Sequence, residues 1–215
     1  MTNDFLEARI KKLEQIREKG IDPYPHYYSP ENRIPELIAE KQEGMDVKIA
    51  GRIMGSRKMG KSAFLDLSDQ QSKIQLYLNS SNLGKDYGFL DLLDVGDFVG
   101  VTGKTFNTRT GEYSVNVNDL QLLAKSLRPL PDKWHGLKNP ELRYAFRTLD
   151  LLANPDVMDV FVKRSKIVSL MRAHLDSHGY LEVDTPLVQP VYGGASAKPF
   201  ITHVNALDAD HFLSI

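Results

Sequence analysis

Val47-Lys-Ile-Ala-Gly-Arg-Ile53, Ala63-Phe-Leu-Asp-Leu-Ser68 and Lys73-Ile-Gln-Leu-Tyr-Leu78 decide how this chain is read. Each alternates apolar and polar residues with the two-residue period of a half-buried strand. Val47, Ile49 and Ile53 point one way, and Lys48, Ala50 and Arg52 the other. Ala63, Leu65 and Leu67 form the second inward set, and Ile74, Leu76 and Leu78 the third. This parity puts Arg52, Phe64, Gln75 and Tyr77 together on the outward face of three neighbouring strands. A cation, aromatic rings and an amide on one exposed face suit a flat, anionic, hydrogen-bonding ligand. Single-stranded nucleic acid is such a ligand: its bases stack on rings, its phosphates pair with cations, and amides read its base edges. A surface ring with no ligand is the plainer alternative.

Downstream, Ser80-Ser-Asn-Leu-Gly-Lys-Asp-Tyr-Gly-Phe-Leu-Asp-Leu-Leu-Asp-Val-Gly-Asp97 reads as a short helix ending before Gly96. A fourth strand follows over Asp97–Phe106 and a fifth over Glu112–Leu123, joined by the turn-forming Asn107-Thr-Arg-Thr-Gly111. In the fifth, Tyr113, Val115 and Val117 face in, and Glu112, Ser114 and Asn116 face out. Three strands, a helix and two strands is the order of an OB-fold, so the fold class is α+β with a small barrel over residues 47–125.

The chain has 215 residues, ordinary apolar content and a net charge of −1, so nucleic-acid contact would be a local patch rather than a general basic field. It has no cysteine, which excludes disulfides, thiolate metal sites and cysteine nucleophiles. Its apolar runs are shorter than a membrane span and its N-terminus lacks a signal-peptide core, so a cytoplasmic protein is expected.

Ahead of the barrel, residues 1–46 read as a helical extension. Thr2 to Asp4 can cap a helix with Leu6, Ile10, Leu13 and Ile16 on one side and Gly20 at its end. Arg9, Lys11, Lys12 and Arg17 lie on the other side, as a solvated face or a contact for RNA backbone. A proline-rich linker (Ile21–Pro30) and a short helix within Glu31–Asp46 lead into the barrel. Residues 126–154 read as a junction with a helix near Glu141–Leu152, on which Arg143, Arg147 and Asp150 share one face as a salt-bridged strut or as part of an interface. Residues 155–215 begin a second domain. Asn154 caps a helix whose first residue is Pro155, and Val160, Ile167, Leu170, Met171 and Leu175 give that helix a buried side. Gly179 ends it, and a strand over Tyr180–Pro190 follows.

His178-Gly-Tyr-Leu-Glu-Val-Asp-Thr-Pro-Leu-Val188 resembles motif 1 of the class II aminoacyl-tRNA synthetases, a long helix, a glycine–aromatic pair and a proline-interrupted strand. Gly20–Pro25, Gly51–Asp69, Arg128–Leu137 (RPLPDKWHGL), the LRYAFRTLDL stretch and Gly193–Leu213 (beginning GGASAKPFITH) resemble lysyl-tRNA synthetases in particular. The resemblance implies recognition of the tRNA-Lys anticodon by the OB-fold, through Arg52, Phe64, Gln75 and Glu112. Phe64 would stack on a base, Gln75 and Arg52 would bond the central uridine, and Glu112 would contact a neighbouring base. Gly193 and Gly194 would belong to a loop lining the lysine pocket. The resemblance further implies ATP and Mg2+ for the full-length enzyme, with neither held by this chain alone, and a homodimer through motif 1. The catalytic motifs 2 and 3 would lie beyond Ile215, so no catalytic residue is assigned. Family members carry glutamine and tyrosine where this chain has Phe146 and Thr148, and arginine at Ser214. Those departures keep open a non-catalytic RNA-binding or regulatory paralogue. The segment from Val183 to Ile215 is expected to fray.

Overall fold

The computed structural model describes residues 3–69, 72–130 and 137–214. Thr2 of the expected cap, and residues 131–136 within the RPLPDKWHGL string, lie outside them. The described chain forms two compact units, Met1–Val157 and Met158–Ile215.

Unit one is built on β1 (Asp46–Met59), β2 (Ser62–Asp69), β3 (Ser72–Asn79), β4 (Phe98–Asn107) and β5 (Tyr113–Ala124). They close into a barrel of order β1-β2-β3-β5-β4, antiparallel except for the β3–β5 pair. Closure leaves the barrel no free sheet edge among the described residues. The inward residues of the alternation are the core: Val47, Ile49, Ile53, Leu65, Leu67, Ile74, Leu76, Leu78, Val99, Val101, Val115 and Val117 are all buried. A bulge between Ile53 and Gly55 slips the β1–β2 register by one residue.

The connection from β3 to β4 is not one helix. Asn79 caps a single turn, α3 (Ser80–Leu83), whose Asn82 N–H donates to Asn79 Oδ1 at 2.8 Å. A 3-10 helix over Gly84–Leu92 follows. Glycines at positions 84 and 88 discourage a longer α-helix in this stretch.

The N-terminal helix α1 (Asn3–Glu18) buries Leu13 and Ile16 against the barrel, but Ile10 stays exposed. Arg9 and Lys12 take the place expected of Ile10. Arg9 donates to the carbonyls of Val95, Ser126 and Arg128 at 3.0, 2.9 and 3.2 Å, and Lys12 Nζ meets Asp94 Oδ1 at 2.7 Å. Those two cations are therefore committed to the fold, and only Lys11 and Arg17 of the four remain on the exposed side. Behind Asp94 lies a sealed node. Lys125 Nζ reaches Asp94 Oδ2 at 2.6 Å and Asp97 Oδ2 at 2.7 Å, and the Lys125 and Asp97 side chains have no solvent exposure. Asp97 also accepts from the Asp94 and Ser126 N–H groups, both at 2.7 Å. A buried ion pair is tolerated when its remaining lone pairs are filled in this way. Burial pushes the Asp94 carboxyl up, and hydrogen bonds and charge from Lys12 and Lys125 outweigh that, so its pKa lies below the ordinary value.

Between α1 and β1, the linker lays Tyr28 over Gly100, whose hydrogen faces the ring. A Cβ there would sit 2.3 Å from the ring. Burial, then Asp119 and Glu31, raise the Tyr28 phenol pKa. The short helix α2 (Ile34–Glu40) buries Ile34 and Leu37.

The junction helix is split at Phe146 into α4 (Pro140–Ala145) and α5 (Arg147–Ala153). The strut is present: Asp150 accepts from Arg143 Nε at 2.8 Å and Arg147 at 2.5 Å. Asn154 turns its side-chain amide nitrogen onto Asp150 Oδ1 at 2.7 Å, and its backbone carbonyl accepts from Val157 N–H at the start of the next helix. Asp150 is sealed by these partners rather than by a deep core. Desolvation raises its pKa, and the Asn154 and Arg143 hydrogen bonds with both arginine charges bring it below the ordinary value.

The second unit departs from expectation. Its helix α6 (Pro155–Ser177) has no buried residue. The expected inner side, Val160, Ile167, Leu170, Met171 and Leu175, is 47–69% exposed. Among the described residues the unit supplies a small sheet of order β6-β8-β7, from β6 (Val188–Gln189), β7 (Ile201–Val204) and β8 (Ala209–Leu213), which is too little to cover that face. Tyr180–Leu187 has no strand pairing, so the expected strand shrinks to β6. Arg172 Nε forks onto both Glu182 oxygens at 3.0 Å, linking the helix to this segment.

Candidate nucleic-acid interface

Three side-chain rows cross the outward face of β1, β2 and β3. Arg57, Phe64, Tyr77 and Asn116 are in register in the first; Gly55, Asp66, Gln75 and Ser114 in the second; Arg52, Ser68 and Lys73 in the third. Phe64 and Tyr77 are thus direct cross-strand neighbours, with ring centroids 5.2 Å apart at 42°. Phe106 of β4, in register with Ser114 of the second row, meets Tyr77 edge-on with ring centroids 6.0 Å apart. The Tyr77 hydroxyl shares a hydrogen bond with Ser62 Oγ at 3.2 Å, which holds its ring.

Gln75 lies one row from Phe64. Its Oε1 accepts from Ser114 Oγ at 3.1 Å. Ser114 is on the outward parity, as expected, but is fully buried, because Gln75 of β3 and Phe106 of β4 flank it. The same hydroxyl lies 3.1 Å from the Glu112 carbonyl. Glu112 itself is outside β5, one residue before the strand begins. It closes the hairpin turn: its N–H donates to Thr108 Oγ1 and its carbonyl accepts from Thr108 N–H, both at 2.9 Å. Its carboxylate is exposed.

Arg52 stands apart. It is two strands and one row from Gln75, about 12 Å between backbones at ordinary sheet spacings. Its guanidinium lies 4.2 Å from the Phe98 ring centroid and donates to the Gly96 carbonyl at 3.2 Å. Half-burial lowers its pKa. The structure therefore brings Phe64, Gln75 and the Glu112 hairpin together and sets Arg52 at the far margin of the same face. Around them, Arg57 and Lys73 approach Asp66 at 3.8 and 3.7 Å with more than half of each side chain exposed, leaving cationic surface beside the rings.

An OB-fold nucleic acid binding domain matches residues 47–123, and the class II tRNA synthetases (D, K and N) match residues 139–215. The lysine–tRNA ligase of Moorella thermoacetica is 48% identical over 216 residues, covering 99% of this chain and 44% of the relative. That of Syntrophomonas wolfei is 47% identical over 217 residues with the same coverage, and that of Clostridium botulinum strain Langeland 46% over 220. Over nearly its whole length the chain is similar to lysine–tRNA ligases. It spans about 44% of the length of these curated relatives.

Within the family segment of unit two, Gly193 and Gly194 sit in a loop tied to itself by Tyr192. The Tyr192 hydroxyl lies 2.7 Å from the Ala195 carbonyl and 2.6 Å from that of Ala197, and its ring is 6.1 Å from Phe212 of β8. Gly194 has φ +104°, a conformation side-chain-bearing residues avoid. A Cβ at Gly193 would meet nothing within 4 Å, so the loop is open on that side. Among the described residues no group of three or more His, Cys, Asp or Glu side chains is placed to hold a metal ion. No helix among them is long and apolar enough to cross a membrane.

Sequence parity found Phe64, Tyr77 and Gln75 but passed over Phe106, although the alternation of the fourth strand puts it on the outward set. It also missed that Ser114 is covered, which depends on neighbours contributed by two other strands.

Proposed function

We propose that the barrel reads the anticodon of a lysine tRNA, as the N-terminal part of a lysyl-tRNA synthetase. The observation that carries the reading is the juxtaposition of Phe64 with Gln75, an aromatic platform beside an amide whose orientation is already held. Phe64 is the stacking platform for one base, with Tyr77 and Phe106 extending it. Gln75 reads the edge of the central uridine, Glu112 contacts a neighbouring base from the hairpin, and Arg52 closes the far side of the face. Gly193 and Gly194 are assigned to the wall of a lysine pocket, where an open glycine lets substrate approach the backbone. ATP-dependent attachment of lysine to tRNA, with ATP and Mg2+, belongs to the whole enzyme, as does pairing into a homodimer through the exposed side of α6. The working domains are 1–46, 47–125, 126–154 and 155–215, in a cytoplasmic translation protein.

The test is the affinity of this chain for anticodon stem-loops, comparing a UUU loop with one altered at the central uridine. Phe64→Ala is expected to weaken the UUU complex by roughly 1–3 kcal/mol, the worth of a base–aromatic stack. Equal affinity for both loops, unaffected by Phe64→Ala, would refute the reading.

A further inference from the structure

We propose that Ser114 is a positioning residue that sets the specificity of the face by fixing which end of the Gln75 amide meets the ligand. The inference rests on the anticodon reading above and deepens it. A glutamine amide carries an acceptor at one end and two donors at the other, and the two ends have nearly the same shape. An unrestrained Gln75 would rotate and greet a carbonyl or an amino group equally well. The structure sets a hydroxyl donor against one end of the amide. Ser114 is fully buried, and its hydroxyl donates to Gln75 Oε1 at 3.1 Å. The parallel β3–β5 pairing puts the two residues in direct register, so the contact is set by the barrel and not by a mobile loop. With Oε1 held inward, Nε2 is left to face the ligand as a donor. Such a site accepts a base edge that presents a carbonyl, as uracil does at position 4. It rejects cytosine, whose amino group at that position would leave two donors facing each other.

The hydroxyl has one proton and two acceptors in reach, since the Glu112 carbonyl also lies at 3.1 Å. That carbonyl already accepts from Thr108 N–H at 2.9 Å, so giving the hydroxyl proton to Gln75 Oε1 leaves neither oxygen without a donor. The hairpin that carries Glu112 and the strand that carries Gln75 therefore share one buried hydroxyl. Its alternative, an inert buried serine filling space, would leave base discrimination untouched when replaced by alanine.

The experiment measures, on this chain, the ratio of affinities for stem-loops with uridine or cytidine at the central anticodon position. The native chain, Ser114→Ala, Gln75→Ala and the double variant are compared, with unfolding midpoints recorded alongside. Ser114→Ala is expected to shrink the uridine-over-cytidine ratio about fivefold, the worth of one ordinary hydrogen bond. The double variant should discriminate no worse than Gln75→Ala alone, because Ser114 acts through Gln75. In parallel, the side-chain amide of Gln75 should lose order in Ser114→Ala by nitrogen-15 relaxation of the free protein, a readout that requires no RNA. An unchanged ratio in Ser114→Ala, a double variant that loses the two effects additively, or an equally ordered Gln75 amide would overturn the assignment. If Gln75→Ala leaves the ratio at its native value, the anticodon reading itself fails. If Gln75→Ala abolishes it and Ser114→Ala does not touch it, only the role of Ser114 fails.

Discussion

Lys125→Met tests the node beneath α1. The substitution keeps most of the side-chain volume and removes the one cation that Asp97 meets among the described residues. The Lys125 and Asp97 side chains are wholly inaccessible, and Asp94 is 19% exposed. Removing one partner of a buried pair costs about 3–5 kcal/mol, because the other charge stays behind without compensation. Two features place this case at the low end. Asp97 keeps the Asp94 and Ser126 N–H donors, and Asp94 keeps Lys12 and a rim of water. The expected loss is therefore about 3 kcal/mol, read as a lower urea midpoint with an unchanged slope. For a chain of this size that corresponds to a fall in Tm of roughly 6–12 °C. Adding Asp97→Asn removes the stranded charge and should recover part of the loss, since neutral replacements of a buried pair are often well tolerated. A loss below about 1 kcal/mol, or a double variant less stable than Lys125→Met, would refute the reasoning.

Three further outcomes are expected. Asp94 and Asp150 both have folded-state pKa values below their ordinary ones, so their contribution is present above the unfolded carboxyl pKa and is lost as pH falls through the folded one. Acid unfolding of Asp150→Asn should then show a shallower fall in stability below about pH 4 than the native chain, and an identical slope would count against that role. Gly100→Ala should displace the Tyr28 ring, lowering the phenol pKa toward its usual value in a spectrophotometric titration; an unmoved phenol means the ring keeps its seat. Amide exchange should be fast over Tyr180–Leu187, which lacks strand pairing, and slow in β1–β5, where the ladder is closed; uniform protection of both would contradict the distinction.

The barrel was legible because alternation is local. Each strand states its own inner face within six or seven residues, and three such statements already placed Phe64, Tyr77 and Gln75 side by side. The node was illegible for the converse reason. Lys12, Asp94, Asp97 and Lys125 meet only after the chain has folded, and nothing in the surroundings of Lys12 marks it as different from Lys11. The apolar stripe of α6 was read correctly as a stripe, but periodicity says only that a helix has an apolar side, not what covers it. Ser114 shows a subtler gap. Parity gives the direction of a side chain, whereas burial depends on the size of its neighbours on other strands. The split of the junction helix at Phe146 and the 3-10 segment after α3 are boundary details that propensity resolves poorly.

The node also says where this fold can be cut. The nucleic-acid-binding match runs from residue 47 to residue 123, yet Asp97 is neutralised by a lysine two positions past that limit, and Asp94 by one in the N-terminal helix. A barrel excised at the match boundaries would keep both carboxylates and lose both ammonium groups. The smallest portable reader therefore begins at α1 and runs at least through Ser126, and the helix that looks like an appendage in sequence is part of the module that must travel with the barrel.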